Sequence, residues 1–344
     1  MKVRYYKKHL QFKRPGGTSR GVLHEKETWI LTLSAEGKTG IGECGLFKGL
    51  SCDDVPHFEA TLQKVCKHLE NDTPIPTALL TAFPSIRMGV EMAQRSLAVE
   101  DPMVLYPSAF TQKEEGVPIN GLVWMGSKEF MAEQIEAKLK VGFNCIKLKI
   151  GALKFEEEYH LLKALRNRFS EKDITIRVDA NGAFTPREAY SLLERLAKLK
   201  IHSIEQPIAA GQWEEMAKLC AQTPMPIALD EELIGVQQAV DKQSLLQTIS
   251  PQYIILKPSL LGGFTTSEEW IAAAEAQNID WWITSALESN IGLNAIAQWT
   301  ATLNTSLPQG LGTGKLFKNN FSSPLYIKNG YIHYAKSLPW NINL

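Results

Sequence analysis

From residue 117 onward, short apolar runs alternate with helical stretches at a near-constant interval, and that rhythm restricts the fold more than any other feature of the chain. The runs cover residues 117–123, 144–150, 174–179, 201–205, 226–230, 253–257, 280–285 and 308–312. Six of them carry a polar residue at or next to their C-terminal end, at positions 149, 179, 205, 230, 257 and 285, spaced 25 to 30 residues apart. That spacing is one strand–helix unit, and a helical stretch follows each of the first seven runs. Eight such strands over about 200 residues predict a (β/α)-barrel. An open dinucleotide-binding sheet would carry G-x-G-x-x-G after its first strand, and the chain has none there. No clear helix follows the eighth run. Instead residues 325–334, with Asn329-Gly330 at their centre, read as a hairpin that returns to the N-terminal part.

The segment before the barrel has a different texture. Residues 29–33 and 39–44 are strand-like, with a turn at 35–38 between them. Gly-rich loops are expected at 13–21 and 45–52, and helices near 55–70 and 84–99, the second with Ser85 as N-cap. The resulting expectation is an α/β protein: an α+β capping domain over 1–112, rejoined by 322–344, and a modified (β/α)-barrel of seven βα units plus a final strand over 113–321. A chain of 344 residues has room for both cores. With 37 basic and 37 acidic residues, nothing in its charge invites a nucleic acid or an anionic membrane. Five scattered cysteines (44, 52, 66, 145, 220) form no C-x-x-C pair and read as reduced thiols. The N-terminus lacks the apolar segment of a signal peptide, and no run is long enough to cross a membrane, so a soluble, cytoplasmic protein is expected.

In a barrel the chemistry sits at the C-terminal ends of the strands. Side chains alternate faces along a strand. Lys147 and Lys149 therefore share the inward face, while Ile146, Leu148 and Ile150 point to the helices. The same count turns Arg177 with Asp179, Ser203 with Glu205, Ala228 with Asp230 and Ile255 with Lys257 inward. Three buried carboxylates on consecutive strands would repel and take up protons unless a cation joined them. All-oxygen ligation of this kind suits Mg²⁺, with Mn²⁺ as a substitute, rather than zinc or copper. Asp179, Glu205 and Asp230 are the expected ligands; pleat phase favours Asp230 over Glu231. Lys149 and Lys257, four strands apart, flank that arc from opposite sides. A small-molecule carboxylate substrate held there would have its α-carbon between two amines, an arrangement suited to removing the α-proton. Lys147 and the cation would both favour an uncharged Lys149, making it a usable base. None of the seven histidines falls at a strand's C-terminal end.

These residues resemble a known family. K-x-K at 147–149, Arg177-Val178-Asp179-Ala180-Asn181, Ile204-Glu205-Gln206-Pro207, Leu229-Asp230-Glu231 and Leu256-Lys257-Pro258 look like the muconate-lactonising subgroup of the enolase superfamily, in which a lysine base works beside magnesium. The likeness extends over nearly the whole chain. Within the subgroup, the segments Thr284–Ser289 and Gly310–Gly314 and the modest length are most similar to the dehydratases that form o-succinylbenzoate in menaquinone biosynthesis. Dipeptide epimerases of the subgroup carry Asp-x-Asp near the end of strand eight, where this chain has Gly312-Thr313-Gly314. The resemblance implies Asp179, Glu205 and Asp230 as Mg²⁺ ligands and Lys149 as the base that also protonates the departing hydroxyl. It implies Lys257 as electrostatic support for the enolate, with Lys147, Arg177, Asn181, Ser285, Gly312, Thr313 and Arg20 contacting or orienting substrate. Leu46 and Phe47, in the second loop, are further specificity candidates, and both loops are expected to close over the site. The alternative activity is an N-acylamino-acid racemase or dipeptide epimerase using the same two lysines.

Overall fold

The computed structural model describes residues 1–18, 21–303 and 305–344. An antiparallel sheet of three strands, β1 (Lys2–Thr18), β2 (Gly21–Ala35) and β3 (Lys38–Cys44), opens the chain. Ala35 pairs with Lys38, and the two residues between them, Glu36 and Gly37, both have positive φ (52° and 79°), the geometry of a two-residue hairpin turn. Helices Phe58–Glu70 and Pro84–Ala98 cover one face of this sheet. There Trp29, Leu31, Leu33, Phe58, Leu62, Val65, Ile86 and Val90 form a separate core.

Two expectations fail here for physical reasons. The first Gly-rich segment is not a loop: residues 13–18 continue β1, and pairing with β2 resumes at Gly16–Leu23 and Gly17–Val22 after an irregularity. Its glycines serve close approach. A Cβ on Gly17 would lie 2.6 Å from the Met125 carbonyl oxygen, and one on Gly16 would lie 3.0 Å from the Trp124 ring. The arm is further stitched to the barrel by Lys13 N–H to Leu316 O (2.8 Å) and Lys318 N–H to Gln11 O (2.8 Å). Nor is Ser85 an N-cap. The helix begins with Pro84 at its first position, and Ser85 lies buried in its first turn. Ser85 donates both its hydroxyl and its backbone N–H to Asp53, a cap supplied from 32 residues upstream. Burial pushes the Asp53 carboxyl up to about 6. The folded chain therefore holds this proton more tightly than the unfolded one does. The associated stabilisation is full below about pH 4 and is lost as pH rises through about 6. Asp53→Asn is expected to remove that slope from a series of urea midpoints taken between pH 4 and 7.

The barrel strands β5 (Gly121–Val123), β6 (Cys145–Lys149), β7 (Thr175–Asp179), β8 (Ser203–Glu205), β9 (Ile227–Leu229), β10 (Tyr253–Leu256) and β11 (Asp280–Ile283) form one parallel sheet in sequential order. β4 (Val117–Pro118) precedes them. Helices follow each strand, from Lys128–Lys140, whose N-cap Ser127 accepts from Phe130 N–H, to Asn290–Thr300. Ile146, Leu148, Ile150, Val178, Ile204, Leu229 and Leu256 are all fully buried between sheet and helices, each contributing about 1.5–3 kcal/mol. No helix of the described residues is long and apolar enough to cross a membrane.

The ends of the ring differ from expectation. Residues 308–312 form no full strand. They close the ring through single parallel bridges, Gln309 to Ile119 and Gly310 to Thr284, supported by Gly310 N–H to Ile283 O (2.7 Å) and Asn120 N–H to Gln309 O (2.9 Å). The expected first strand is split, because β4 leaves the ring to pair with the C-terminal hairpin β12 (Leu325–Lys328) and β13 (Tyr331–Tyr334). That hairpin, turned by Asn329 and Gly330 at positive φ, lies on β4 and not on the sheet of β1–β3. Its Ile332 and Tyr334 join the barrel core.

Candidate active site

The inward alternation read along the strands is realised in the register. Lys147 pairs with Arg177, Lys149 with Asp179, and Asp179 with Glu205 on adjacent strands. Asp230 follows the last residue of β9, one pleat beyond Ala228, which pairs with Glu205. All three carboxylates are buried.

Lysines stand along this acidic row. The Lys147 ammonium bridges Asp179 Oδ2 (2.9 Å) and Glu205 Oε2. At one end Lys149 Nζ donates to Asp179 Oδ2 (2.8 Å) and to Asn181 Oδ1 (2.6 Å). At the other, Lys257 Nζ is paired with Asp230 and stands 3.9 Å from Glu205 Oε1. Lys149 and Lys257 thus occupy opposite ends of the row, on or next to β6 and β10, with three strands between them in the sheet.

The electrostatics are those of crowded acids. Burial pushes the Glu205 carboxyl well up, Asp179 adds to the push, and Lys147 only partly offsets it. Burial also opposes ionisation of Asp179, but Lys147, Lys149 and Lys257 together hold its carboxyl well below the usual range. Asp230 is likewise lowered against burial, chiefly by Lys257. Lys147 and Lys257 are raised, because the carboxylates they touch outweigh the cost of desolvating them. Glu205 Oε1 is buried and accepts no hydrogen bond among the described residues. Among those residues the acids do not converge as a ready-made set of three ligands; ammonium groups stand on them. The donor chemistry nonetheless fits a hard divalent cation: hard oxygens on three consecutive strands, one of them lacking a donor.

A cavity, partly open to solvent, lies above the row. Lys147, Lys149, Asp179, Asn181 and Lys257 form its polar side, with Ser285, Gly312 and Thr313 from the opposite arc. Thr313 Oγ1 donates to Ser285 Oγ (2.9 Å), and Ser285 Oγ donates to the buried Glu288 carboxylate. Asn181, held at φ 46°, donates its Nδ2 to Glu231 Oε1 (3.0 Å). Glu231 therefore orients Asn181, which in turn holds Lys149.

Other expected contacts are placed differently. Arg177 does not line the cavity. It is 1% exposed, lies with its guanidinium 3.9 Å from the centre of the Trp282 ring and donates to the Pro308 carbonyl (2.7 Å), a layer below the acids. Leu46 packs into the core of the capping sheet, while Phe47, its neighbour, does line the cavity. Arg20 lies outside the described residues. The strand reading missed Leu23 and Leu50 from the cap and Asn120, Leu122 and Trp124 from the first barrel strand. Trp124 is set by Gln134, which accepts from its backbone N–H and donates to its carbonyl, both at 3.0 Å. Alternation along 120–124 was the available signal: Asn120, Leu122 and Trp124 share one phase.

Residues 130–338 match the family described as enolase C-terminal domain-like. The chain is 46% identical to an o-succinylbenzoate synthase of Desulfotalea psychrophila, over 96% of its own length and 98% of that protein's. It is 32% identical to an N-succinylamino acid racemase of Thermus thermophilus, over 80% of this chain and 75% of the other. The crystal structure of MenC from Desulfotalea psychrophila superposes with a TM-score of 0.86 at 42% identity, covering 97% of this chain and 99% of that one. Fold, acid row and sequence agree: this chain belongs to the enolase C-terminal domain-like family.

Proposed function

We propose that this protein is an o-succinylbenzoate synthase, a hydro-lyase that removes water from 2-succinyl-6-hydroxy-2,4-cyclohexadiene-1-carboxylate in menaquinone biosynthesis. The observation that carries the reading is the 46% identity with a synthase of that name, end to end. The placement of lysines at both ends of the acid row supports it.

Asp179, Glu205 and Asp230 would hold Mg²⁺, with Mn²⁺ as substitute. A bound Mg²⁺ supplies Lewis-acid stabilisation of negative charge developing on a carboxylate oxygen. Lys149, in its amine form, takes the proton from the carbon α to the substrate's ring carboxylate. The electrons of that C–H bond pass first into the carboxylate as an enediolate, then return to form the new ring double bond as the β C–O bond breaks. The same Lys149, now an ammonium, passes its proton to the departing hydroxide on the same face, and water leaves. Lys257 faces the developing enolate from the far end of the row and stabilises it electrostatically. Asn181 keeps Lys149 aimed, while Phe47, Leu50 and Trp124 screen the cavity from water.

The test supplies the cyclohexadiene acid with Mg²⁺ and follows the absorbance change as the ring becomes aromatic; absence of turnover would overturn the assignment. A second reading is favoured by the 32% identity with a racemase. Lys149 and Lys257 on opposite faces could exchange the α-proton of an N-acylamino acid. Incubation of N-succinylamino acids in D₂O reads that directly as α-deuterium by NMR.

A further inference from the structure

We propose that Lys26 binds the second carboxylate of the substrate, the one ending its four-carbon side chain; the inference rests on the dehydratase reading above. Lys26 lies on β2, on the face it shares with Thr28 and Ile30, and is 6% exposed. Among the described residues its ammonium has one hydrogen-bond partner, the Gly45 carbonyl at a long 3.4 Å, with the centre of the Phe47 ring 5.9 Å away. A buried ammonium so poorly satisfied is costly unless something completes its shell.

The acids that face it are already engaged. Glu43 accepts from Thr28 Oγ1, from Ser289 through both its N–H and its hydroxyl, and from Gly292 N–H. Glu288 accepts from Ser259, Ser285 and Ala286 N–H. Glu27, on the opposite face of β2, is paired with Lys7 at 2.9 Å. Burial lowers the proton affinity of Lys26, and the charges of Glu288 and Glu43 only partly restore it.

Lys26 also borders open space. A second cavity, which Glu25, Glu27 and Lys48 also line, shares Leu23, Phe47 and Leu287 with the active-site cavity. These three side chains border both spaces. A substrate whose ring carboxylate lies at the acid row extends its side chain past these apolar groups, and Lys26 stands on their far side. Lys147, Lys149 and Lys257 already stand on Asp179, Glu205 and Asp230, at the other end of the ligand. A carboxylate arriving at Lys26 would form a charge-assisted hydrogen bond with little water to displace.

The test is calorimetric binding of o-succinylbenzoate and of its side-chain amide to the Mg²⁺-loaded protein. The wild type is expected to prefer the diacid by at least about ten-fold. Lys26→Met is expected to bind both alike, with affinity for the amide unchanged and the melting curve still cooperative. Equal binding of the two compounds by the wild type, or an undiminished preference in Lys26→Met, overturns the proposal. If Lys26→Met does not fold, Lys26→Arg carries the test: moving the cation must change the diacid-to-amide ratio, and an unchanged ratio refutes the role. A wild type that neither binds these compounds nor turns over the cyclohexadiene acid removes the dehydratase reading and this inference together. Turnover without any preference for the diacid removes only Lys26.

Discussion

Lys149→Ala is expected to abolish dehydration while the protein still binds Mg²⁺. Its ammonium touches Asp179 and Asn181, but it contributes no oxygen to the acid row. Truncation therefore removes the group proposed to carry the proton and leaves all three carboxylates in place. General acid–base groups supply about 10²–10⁴ in rate. Because Lys149 would serve in both proton transfers, the loss should reach or exceed the upper end of that range. Single-turnover kinetics and a Mg²⁺ titration by calorimetry separate the two effects. A variant that loses metal affinity along with turnover would mean that Lys149 has been given the wrong task.

Asp230→Asn is expected to weaken Mg²⁺ binding far more than Glu231→Gln. Asp230 is 2% exposed and aims along the row at Lys257, whereas Glu231 accepts from Asn181 Nδ2 and lies outside the row. A glutamine at 231 keeps an oxygen for that bond, so its effect should stay within the ~10–100-fold typical of groups that orient a ligand from outside. Loss at Asp230 should exceed it. Its effect on Lys257 is a second signature: the ammonium is raised chiefly by Asp230, so neutralising residue 230 removes its strongest partner. The opposite order of metal affinities would move the third ligand to Glu231.

The acid row and its lysines were legible because period-two alternation and the repeat of about one βα unit are local properties of the chain. Lys147, Asp179 and Glu205 fall where those two rules intersect. What escaped depends on residues distant in sequence. Ser85 looks like a cap until Asp53 is folded against it. The glycines at 16 and 17 look like a loop until Trp124 and Met125 are seen pressed against them. Arg177 has the right phase but the wrong depth, because the pleat gives direction and says nothing about which layer of the barrel interior a side chain fills. The split of residues 117–123 is likewise decided by the distant hairpin that captures β4.

The join at Gln309 and Gly310 has a further consequence for how such an enzyme can change. Charge is concentrated on β6–β10, where continuous ladders tie strand to strand, while the ring is fastened on its far side by one bridge to each neighbour. Ser285, Gly312 and Thr313 lie on that lightly fastened side. Substitutions there can reshape what the mouth admits without disturbing the acids and amines, so the charged row can stay constant while the fit of the opening varies.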